Sequence, residues 1–279
     1  MSNVHNSGPV SSKSSYTGGL VGRVLDYSEI SNSSSNSDVS ISSWGSQIAG
    51  LIGRLEYSEI NDSYSAGTLT AKGSLAGGLV GFTVDAEIHN SYSTMDIDHN
   101  NDQRGYIGGL VGAIYHGTEV SNSYATGLVE TNGSSSVGGL IGNHGYRNTA
   151  RDSEINNCYA TGSVNGSTNV GGLVGLIVSA DDEINNSYST GIVSGNPESN
   201  VGGLVGSNTE EASVDSSYYL DTSCLTENNC NPIAIEAPED LGEAKSDSEL
   251  KAESTFIDWD FSSDWLIEES VSYPTLKTD

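Results

Sequence analysis

Apolar residues along the chain come in short runs that glycine, serine, asparagine or aspartate separates. One apolar phrase, Gly-Gly-Leu followed by Val or Ile and then Gly, recurs along most of the chain, once with Ala in place of the first Gly. Its seven copies begin at Gly18, Ala49, Gly77, Gly108, Gly138, Gly171 and Gly202. The copies are about 30 residues apart, a period typical of architectures in which each repeat is one structural unit.

A second phrase follows each copy of the first and runs in register with it. It reads Ile or Val, two polar residues, Ser or Cys, and Tyr. Clear copies begin at Ile60, Ile88, Val120, Ile155 and Ile184, and degenerate copies begin at Ile30 and Val214. The Asn before the Ser-Tyr or Cys-Tyr pair, as at Asn90 and Asn122, predicts a tight turn, because Asn tolerates a left-handed backbone.

Composition favours strands over helices in each repeat. The chain has 34 glycines, and each repeat adds Ser, Thr, Asn and β-branched residues, which lower helix propensity and favour strands and turns. Strands this short cannot bury their apolar faces within one repeat, so they must pair with the equivalent strands of the next repeat. The sequence therefore predicts an all-β fold, a parallel β-solenoid of about seven coils of ~30 residues.

The two phrases resemble the GLUG-motif repeats of bacterial surface proteins, which are named after the Gly-Leu-Val/Ile-Gly phrase. Such arrays occur in large adhesins, in haemagglutinin-like proteins and in non-catalytic parts of some secreted immunoglobulin A peptidases. The resemblance covers residues 18 to about 219. Ala49 and Ser34, which stand where the pattern has Gly and Tyr, depart from it. The resemblance implies export and association with a cell surface, and it does not identify a ligand.

A change of composition after Tyr219 divides the chain, and we expect a solenoid over residues 1–220 and a C-terminal cap over residues 221–279. A solenoid leaves open strand edges at its ends, which need a cover. Within the cap, Ser246 and Glu249 have the spacing of a capping box, which predicts a short helix. Trp259 and Trp265 supply bulky anchors, and we expect them to pack on the last coil.

The chain is strongly acidic, with 10 basic and 37 acidic residues and a net charge of −27 at pH 7. This charge repels nucleic-acid phosphates and anionic lipids, so we expect neither as a partner. No stretch approaches the roughly 18 to 20 apolar residues of a membrane span, and the first residues lack a signal-peptide pattern. The chain is thus either cytoplasmic or a piece of a longer exported protein. The resemblance favours the second, at the bacterial cell surface.

Motifs of catalysis are missing from the sequence. The 5 histidines show no His-Glu-x-x-His pattern, no glycine phrase is followed by Lys-Ser or Lys-Thr, and no Ser lies in a nucleophile elbow. We expect no enzymatic activity and no cofactor other than calcium. Oxygen side chains alternate as in a calcium loop at Asp96, Asp98, Asn100 and Asp102. That stretch lacks the Gly and Glu such a loop carries, and a solvated loop between coils is the alternative.

The three cysteines fall into two groups. Cys158 takes the Ser position of the second phrase, so we expect a small buried residue there. Cys224 and Cys230 have five residues between them and would close a small disulfide ring in an oxidising compartment. Two free thiols in a cytosolic protein are the alternative.

Tyr and Thr of the second phrase share one strand parity, and Ser, Cys or Ala has the other. If the small residues face inward, an outward ladder forms from Tyr64, Tyr92, Tyr124, Thr126, Tyr159, Thr161, Tyr188 and Thr190. Such a ladder could bind a glycan or ice. If Tyr faces inward, it belongs to the core.

The function that these features favour is a structural or adhesive scaffold, a repeat module of a secreted bacterial surface protein. A binding module that uses the Tyr and Thr ladder for glycan or ice is the alternative. Expected partners are an extracellular glycan, protein or surface ligand and the neighbouring domains of a longer parent protein.

Overall fold

The computed structural model describes residues 1–41, 47–99, 105–133, 136–146, 151–196, 199–223 and 241–277. Over these residues the chain forms an all-β parallel solenoid of about seven coils, which confirms the fold that the repeats predict. Each coil contributes one short strand to each of five sheets, and each strand pairs in parallel with its equivalents in the adjacent coils. The same repeat position therefore stacks on itself along the solenoid.

Sheets 1 and 2 flank the first phrase of each coil. The strands of sheet 1 end at the first Gly, and they are Tyr16–Gly18, Gln47–Ala49, Leu75–Gly77, Tyr106–Gly108, Ser136–Gly138, Asn169–Gly171 and Asn200–Gly202. The strands of sheet 2 begin at the Val or Ile of the phrase, and they are Val21–Val24, Ile52–Glu56, Val80–Val84, Val111–Tyr115, Ile141–His144, Val174–Ile177 and Val205–Asn208.

Sheets 3, 4 and 5 complete the coil. Sheet 3 consists of Glu29–Ser31, Glu59–Asn61, Glu87–His89, Glu119–Ser121, Glu154–Asn156, Glu183–Asn185 and Ser213–Asp215. Sheet 4 has nine strands, His5–Asn6, Ser34–Asn36, Tyr64–Ala66, Tyr92–Ser93, Tyr124–Ala125, Tyr159–Ala160, Tyr188–Ser189, Tyr218–Leu220 and Glu243–Lys245. Sheet 5 consists of Val10–Ser12, Val39–Ile41, Thr68–Ala71, Asp96–His99, Val129–Thr131, Val164–Gly166 and Val193–Gly195.

Two hydrophobic cores run along the solenoid. The first contains the Leu of each pentad, the apolar residues of sheet 2 and the central Ile or Val of sheet 3, as in Leu110, Val111 and Val120. The second contains the apolar residues of sheets 5 and 1, such as Val129 and Val137. Rows of β-branched and Leu side chains thus fill both cores, as is usual in buried parallel sheets.

A narrow waist separates the two cores, and glycine is required there. The second Gly of each pentad faces the small residue that follows Tyr in sheet 4. A methyl group added to Gly139 would lie 2.1 Å from the carbonyl oxygen of Gly172 and 2.9 Å from Cβ of Ala160. The equivalent position after Tyr is Ser65 or Ser189 in other coils, and these hydroxyls donate hydrogen bonds across the waist. Small residues face inward because nothing larger fits.

A left-handed residue turns the chain from sheet 3 into sheet 4. Backbone φ is positive at Asn32, Asp62, Asn90, Asn122, Asn157, Asn186 and Ser216, and Asn is among the residues that tolerate this region best. The next residue is a buried Ser or Cys that joins adjacent coils. For example, Ser91 Oγ accepts a hydrogen bond from Ser63 N–H at 3.2 Å and donates one to the His89 carbonyl at 2.7 Å.

The C-terminal tail both extends the last coil and runs back beside it. Strand Glu243–Lys245 pairs with Tyr218–Leu220 and adds a rung to sheet 4. The capping box forms, since Glu249 Oε2 accepts a hydrogen bond from Ser246 N–H at 2.8 Å. Turns rather than an α-helix follow it. A 3-10 helix spans Glu253–Thr255, and strands Trp265–Leu266 and Thr275–Leu276 pair antiparallel. No helix in the described ranges has the length and apolarity to cross a membrane.

The waist predicts how a single methyl group affects stability. We expect Gly139→Ala to lower the free energy of unfolding by about 1 to 3 kcal/mol, because the new Cβ meets backbone that is already paired. Gly8→Ala is the matched control, since the nearest atom to its new Cβ is 3.7 Å away. Thermal melting by circular dichroism measures both. Equal melting temperatures for the two variants would show that the waist tolerates a larger residue.

Candidate functional site

The recurring tyrosines lie on the outer face of sheet 4. Ala125 and Ala160, which follow Tyr124 and Tyr159, belong to the first core with 1% and 0% of their surface exposed. Strand alternation therefore directs the tyrosines outward. This confirms the inward orientation of the small residues and decides the question of parity that the sequence left open.

The tyrosine rings stack face to face in an unbroken column. Ring centroids are 4.9 Å apart between Tyr64 and Tyr92, 4.8 Å between Tyr92 and Tyr124, and 4.7 Å between Tyr124 and Tyr159. The planes of these pairs differ by only 1 to 3°. Each ring face is thus occupied by the next ring, and the column presents ring edges and hydroxyl groups to its surroundings.

The tail covers the C-terminal half of this column. Tyr159, Tyr188 and Tyr218 form a hydrophobic cluster with Leu250, Phe256, Trp259 and Trp265. Only 1% of Tyr188 is exposed, and its hydroxyl donates a hydrogen bond to the Pro274 carbonyl at 2.5 Å. The indole N–H of Trp259 donates to the Ser216 carbonyl at 2.8 Å. The expected cap therefore packs on the side of three coils as well as on the last one.

The tail divides the residues of the candidate ladder into two groups. Tyr159 and Tyr188 are buried beneath it, so they are not part of an open surface. Tyr64, Tyr92 and Tyr124 are partly exposed and form the uncovered ladder. Thr126 is exposed beside Tyr124, and Thr161 and Thr190 are partly exposed in the covered coils.

A second ladder, made of glutamates, lies on the outer face of the adjacent sheet 3. Six residues occupy the same register position, namely Glu29, Glu59, Glu87, Glu119, Glu154 and Glu183. Neighbouring strands are ~4.8 Å apart, so each inner glutamate of the ladder is flanked by two like charges, and Glu29 and Glu183 at its ends by one. Sequence reasoning missed this ladder, although a Glu precedes the Ile or Val of the second phrase in six of its seven copies.

Two of the four residues of the candidate calcium site lie in a β-strand. Asp96 and Asp98 lie on the outer face of strand Asp96–His99, so the alternative of a loop between coils is wrong for them. Asp96 Oδ1 accepts a hydrogen bond from Leu128 N–H at 2.9 Å and so joins two coils. Asn100 and Asp102 lie outside the described residues. Calcium binding at this place stays a prediction.

Cysteine and histidine form no recognisable site in the described part of the chain. No group of three or more His, Cys, Asp or Glu side chains there could hold a metal ion. Cys158 is buried in the first core as expected, and burial raises the pKa of its thiol to about 12. His99 is buried and bonds to the Gly73 carbonyl at 2.6 Å. Cys224 and Cys230 lie outside the described residues, so their disulfide stays a prediction.

One buried pair of titratable groups lies at the end of sheet 2. His144 Nε2 and Asp182 Oδ2 are 3.9 Å apart and have 0% and 1% of their side chains exposed. Burial raises the pKa of Asp182 to about 6 and lowers the pKa of His144 to about 4. His144 Nε2 bonds to the Ser153 carbonyl, and Asp182 Oδ1 accepts a hydrogen bond from Ser153 N–H. Their contacts fix the backbone of Ser153, and they suit a structural role.

Comparison with protein families agrees with this geometry. The family model of the GLUG motif matches residues 13–40, 72–98, 103–130 and 133–165. Four segments of the chain therefore match the GLUG motif. Each GLUG segment includes at least one of the two phrases that build a coil. GLUG is a structural repeat family rather than a class of enzymes.

Similarity to a curated protein covers about half of this chain. It is 34% identical to Halomucin of Haloquadratum walsbyi (strain DSM 16790 / HBSQ001) over 163 residues, which are 57% of this chain and 2% of that protein. The chain thus matches only a small fraction of the length of its relative. No solved structure matches the chain.

The glutamate ladder predicts a stability that depends on salt. At low ionic strength we expect Glu119→Gln to raise the free energy of unfolding by about 0.5 kcal/mol, because it removes a charge that two like charges flank. In about 1 M NaCl the screening length falls to roughly 3 Å, and the gain should disappear. Thermal melting of the parent protein and of the Glu119→Gln variant at the two salt concentrations measures this difference in stability. A gain of the same size in high salt would show that charge repulsion is not its cause.

Proposed function

We propose that the chain is a structural spacer in a larger surface protein, a stiff acidic segment that sets the distance between the parts on either side of it. What supports this most strongly is that the recurrent residues serve the stack. The pentad Leu and the second-phrase Ile fill a core, the second Gly forms the waist, and Ser and Asn connect the coils.

Placement at a cell surface belongs to the same proposal. GLUG repeats and the similarity to Halomucin support it. The acidic outer face supports it as well, because a net charge far from zero keeps an exposed repeat from associating with its neighbours.

Removal of one coil tests the spacer. Deletion of residues 108–137 joins Ile107 to Gly138, which takes the place of its register partner Gly108. The deletion removes one strand from each of the five sheets. Spin labels on Glu29→Cys and Ser213→Cys, with the native cysteines replaced by Ser, are six strand steps apart in sheet 3. We expect their separation, measured by electron–electron resonance, to fall from about 29 Å to about 24 Å while the protein stays folded.

A deletion of half a coil is the matched control. Removal of residues 108–122 would join sheet 1 directly to the corner before sheet 4, so the remaining coils could not stack in register. We expect this variant to lose its β-sheet circular dichroism. A one-coil deletion that unfolds, or that leaves the label separation unchanged, would contradict the spacer.

A second candidate function, adhesion, rests on the uncovered ladder of Tyr64, Tyr92 and Tyr124. Because its ring faces are occupied, we expect contact through hydroxyls and ring edges, which repeat at about the strand spacing of ~4.8 Å. A glycan array and an ice-recrystallisation assay test it. Adhesion through this ladder should weaken at least tenfold in Tyr92→Ser and persist in Tyr146→Ser, whose ring is exposed elsewhere. If neither assay detects binding, the spacer is the only one of the two candidate functions that is still supported.

A further inference from the structure

A groove at the corner between sheets 2 and 3 displays two tyrosines outside the ladder. Tyr27 is 89% exposed and Tyr57 is 43% exposed. Both have positive φ, 57° and 49°, a conformation that is uncommon for bulky residues and costs about 1 to 2 kcal/mol. The groove measures about 290 Å³, and its lining is Tyr27, Ser28, Tyr57, Ser58, Glu59, Asp85 and Glu87.

The two rings differ from those of the ladder because their faces are open. Their centroids are 6.2 Å apart and their planes differ by 45°, whereas rings in the ladder are nearly parallel. The backbone beneath them is fixed, since Tyr27 N–H donates a hydrogen bond to the Tyr57 carbonyl at 2.7 Å and Tyr57 N–H donates to Val84 at 3.0 Å. The groove thus presents aromatic faces on a preformed wall.

The surroundings of these rings favour positive charge. Glu59 and Glu87 belong to the glutamate ladder, and Asp85 occupies the corner position in the next coil. The negative face of an aromatic ring attracts the same cations that carboxylates do. A neutral sugar would use the rings and gain less from the charges of Glu59 and Glu87.

The protein itself places one guanidinium at the end of this groove. Arg151 Nη1 donates a hydrogen bond to Asp85 Oδ1 at 2.6 Å, and the Arg151 side chain remains 68% exposed. This hydrogen bond and the charge of Asp85 raise the pKa of Arg151. Asp85 is therefore already paired with a cation of the protein itself.

We propose that this groove binds a basic segment of a partner protein, with an arginine or lysine side chain over the faces of Tyr27 and Tyr57 and its charge between Glu59 and Glu87. Arg and Lys suit the site because their aliphatic stems can lie on the rings while the charged head meets carboxylates. The site differs in place and in chemistry from the uncovered ladder.

Titration with a tetra-arginine peptide, capped at both ends, tests the proposal by calorimetry at about 0.15 M salt, where distant surface charges are screened. The variant Glu59→Gln/Glu87→Gln removes two charges from the groove. The matched control, Glu154→Gln/Glu183→Gln, removes two charges from the same ladder away from the groove. We expect the first pair to weaken binding at least tenfold and the second pair less than twofold.

A variant that lacks both tyrosine rings separates the contribution of the rings to peptide binding from the contribution of charge. Tyr27→Asn/Tyr57→Asn should also weaken binding at least tenfold, and its melting temperature should equal or exceed that of the parent, because Asn tolerates positive φ. Equal weakening by both Gln pairs would show only diffuse attraction to an acidic protein and would overturn the proposal. So would absence of binding, or preferential binding of a neutral tetrasaccharide.

Discussion

The close approach of backbone and small side chain at the waist is the contact on which the rest of the structure depends. In every coil but the last, the second Gly of the pentad meets a Ser or Ala of sheet 4, and no Cβ fits between them. This contact fixes the parity of sheet 4, and with it the outward direction of the tyrosines in the ladder. It also divides the interior into two thin cores, which short strands of Val, Ile and Leu can fill without large aromatic residues. At the last coil, the ring of Tyr219 lies against Gly203 in place of the small residue.

Stacking in register has opposite consequences for different residues. A buried Ser stabilises the stack, because its hydroxyl accepts a hydrogen bond from the coil before it. A Tyr stabilises the stack through the contact of its ring with the next Tyr ring. A Glu destabilises it, because every glutamate of the ladder in sheet 3 lies beside another. The glutamate ladder is compatible with folding because it is on the surface, where water and salt screen it, whereas the same repetition inside a core would not be tolerated.

The features of the fold that the sequence predicts are the ones that recur in every repeat. Two phrases in register specify parallel coils and the left-handed corner at Asn90 or Asn122, and they leave open which face of sheet 4 points inward. The covering of Tyr188 by Trp265 is not periodic, since it joins residues distant in the chain. The change of composition after Tyr219 predicts a cap at the end of the solenoid, but it does not predict that the tail runs back along the outer face of sheet 4. The glutamate ladder is visible in the sequence once the second phrase is extended by one residue, to the Glu before the Ile or Val.

Tyrosine has two different roles in this fold, and the position in the coil decides between them. In the middle of a sheet, strand pairing holds successive rings ~4.8 Å apart, so they stack and hide their faces. At the corner of Tyr27 and Tyr57, the left-handed backbone tilts the rings, and the strand spacing no longer forces them parallel. A stacked ring stabilises the solenoid, whereas a tilted ring at a corner leaves an aromatic face open. Ligand contacts through ring faces are therefore expected at the corners of such solenoids, and the flat sides contribute edges, hydroxyls and charge.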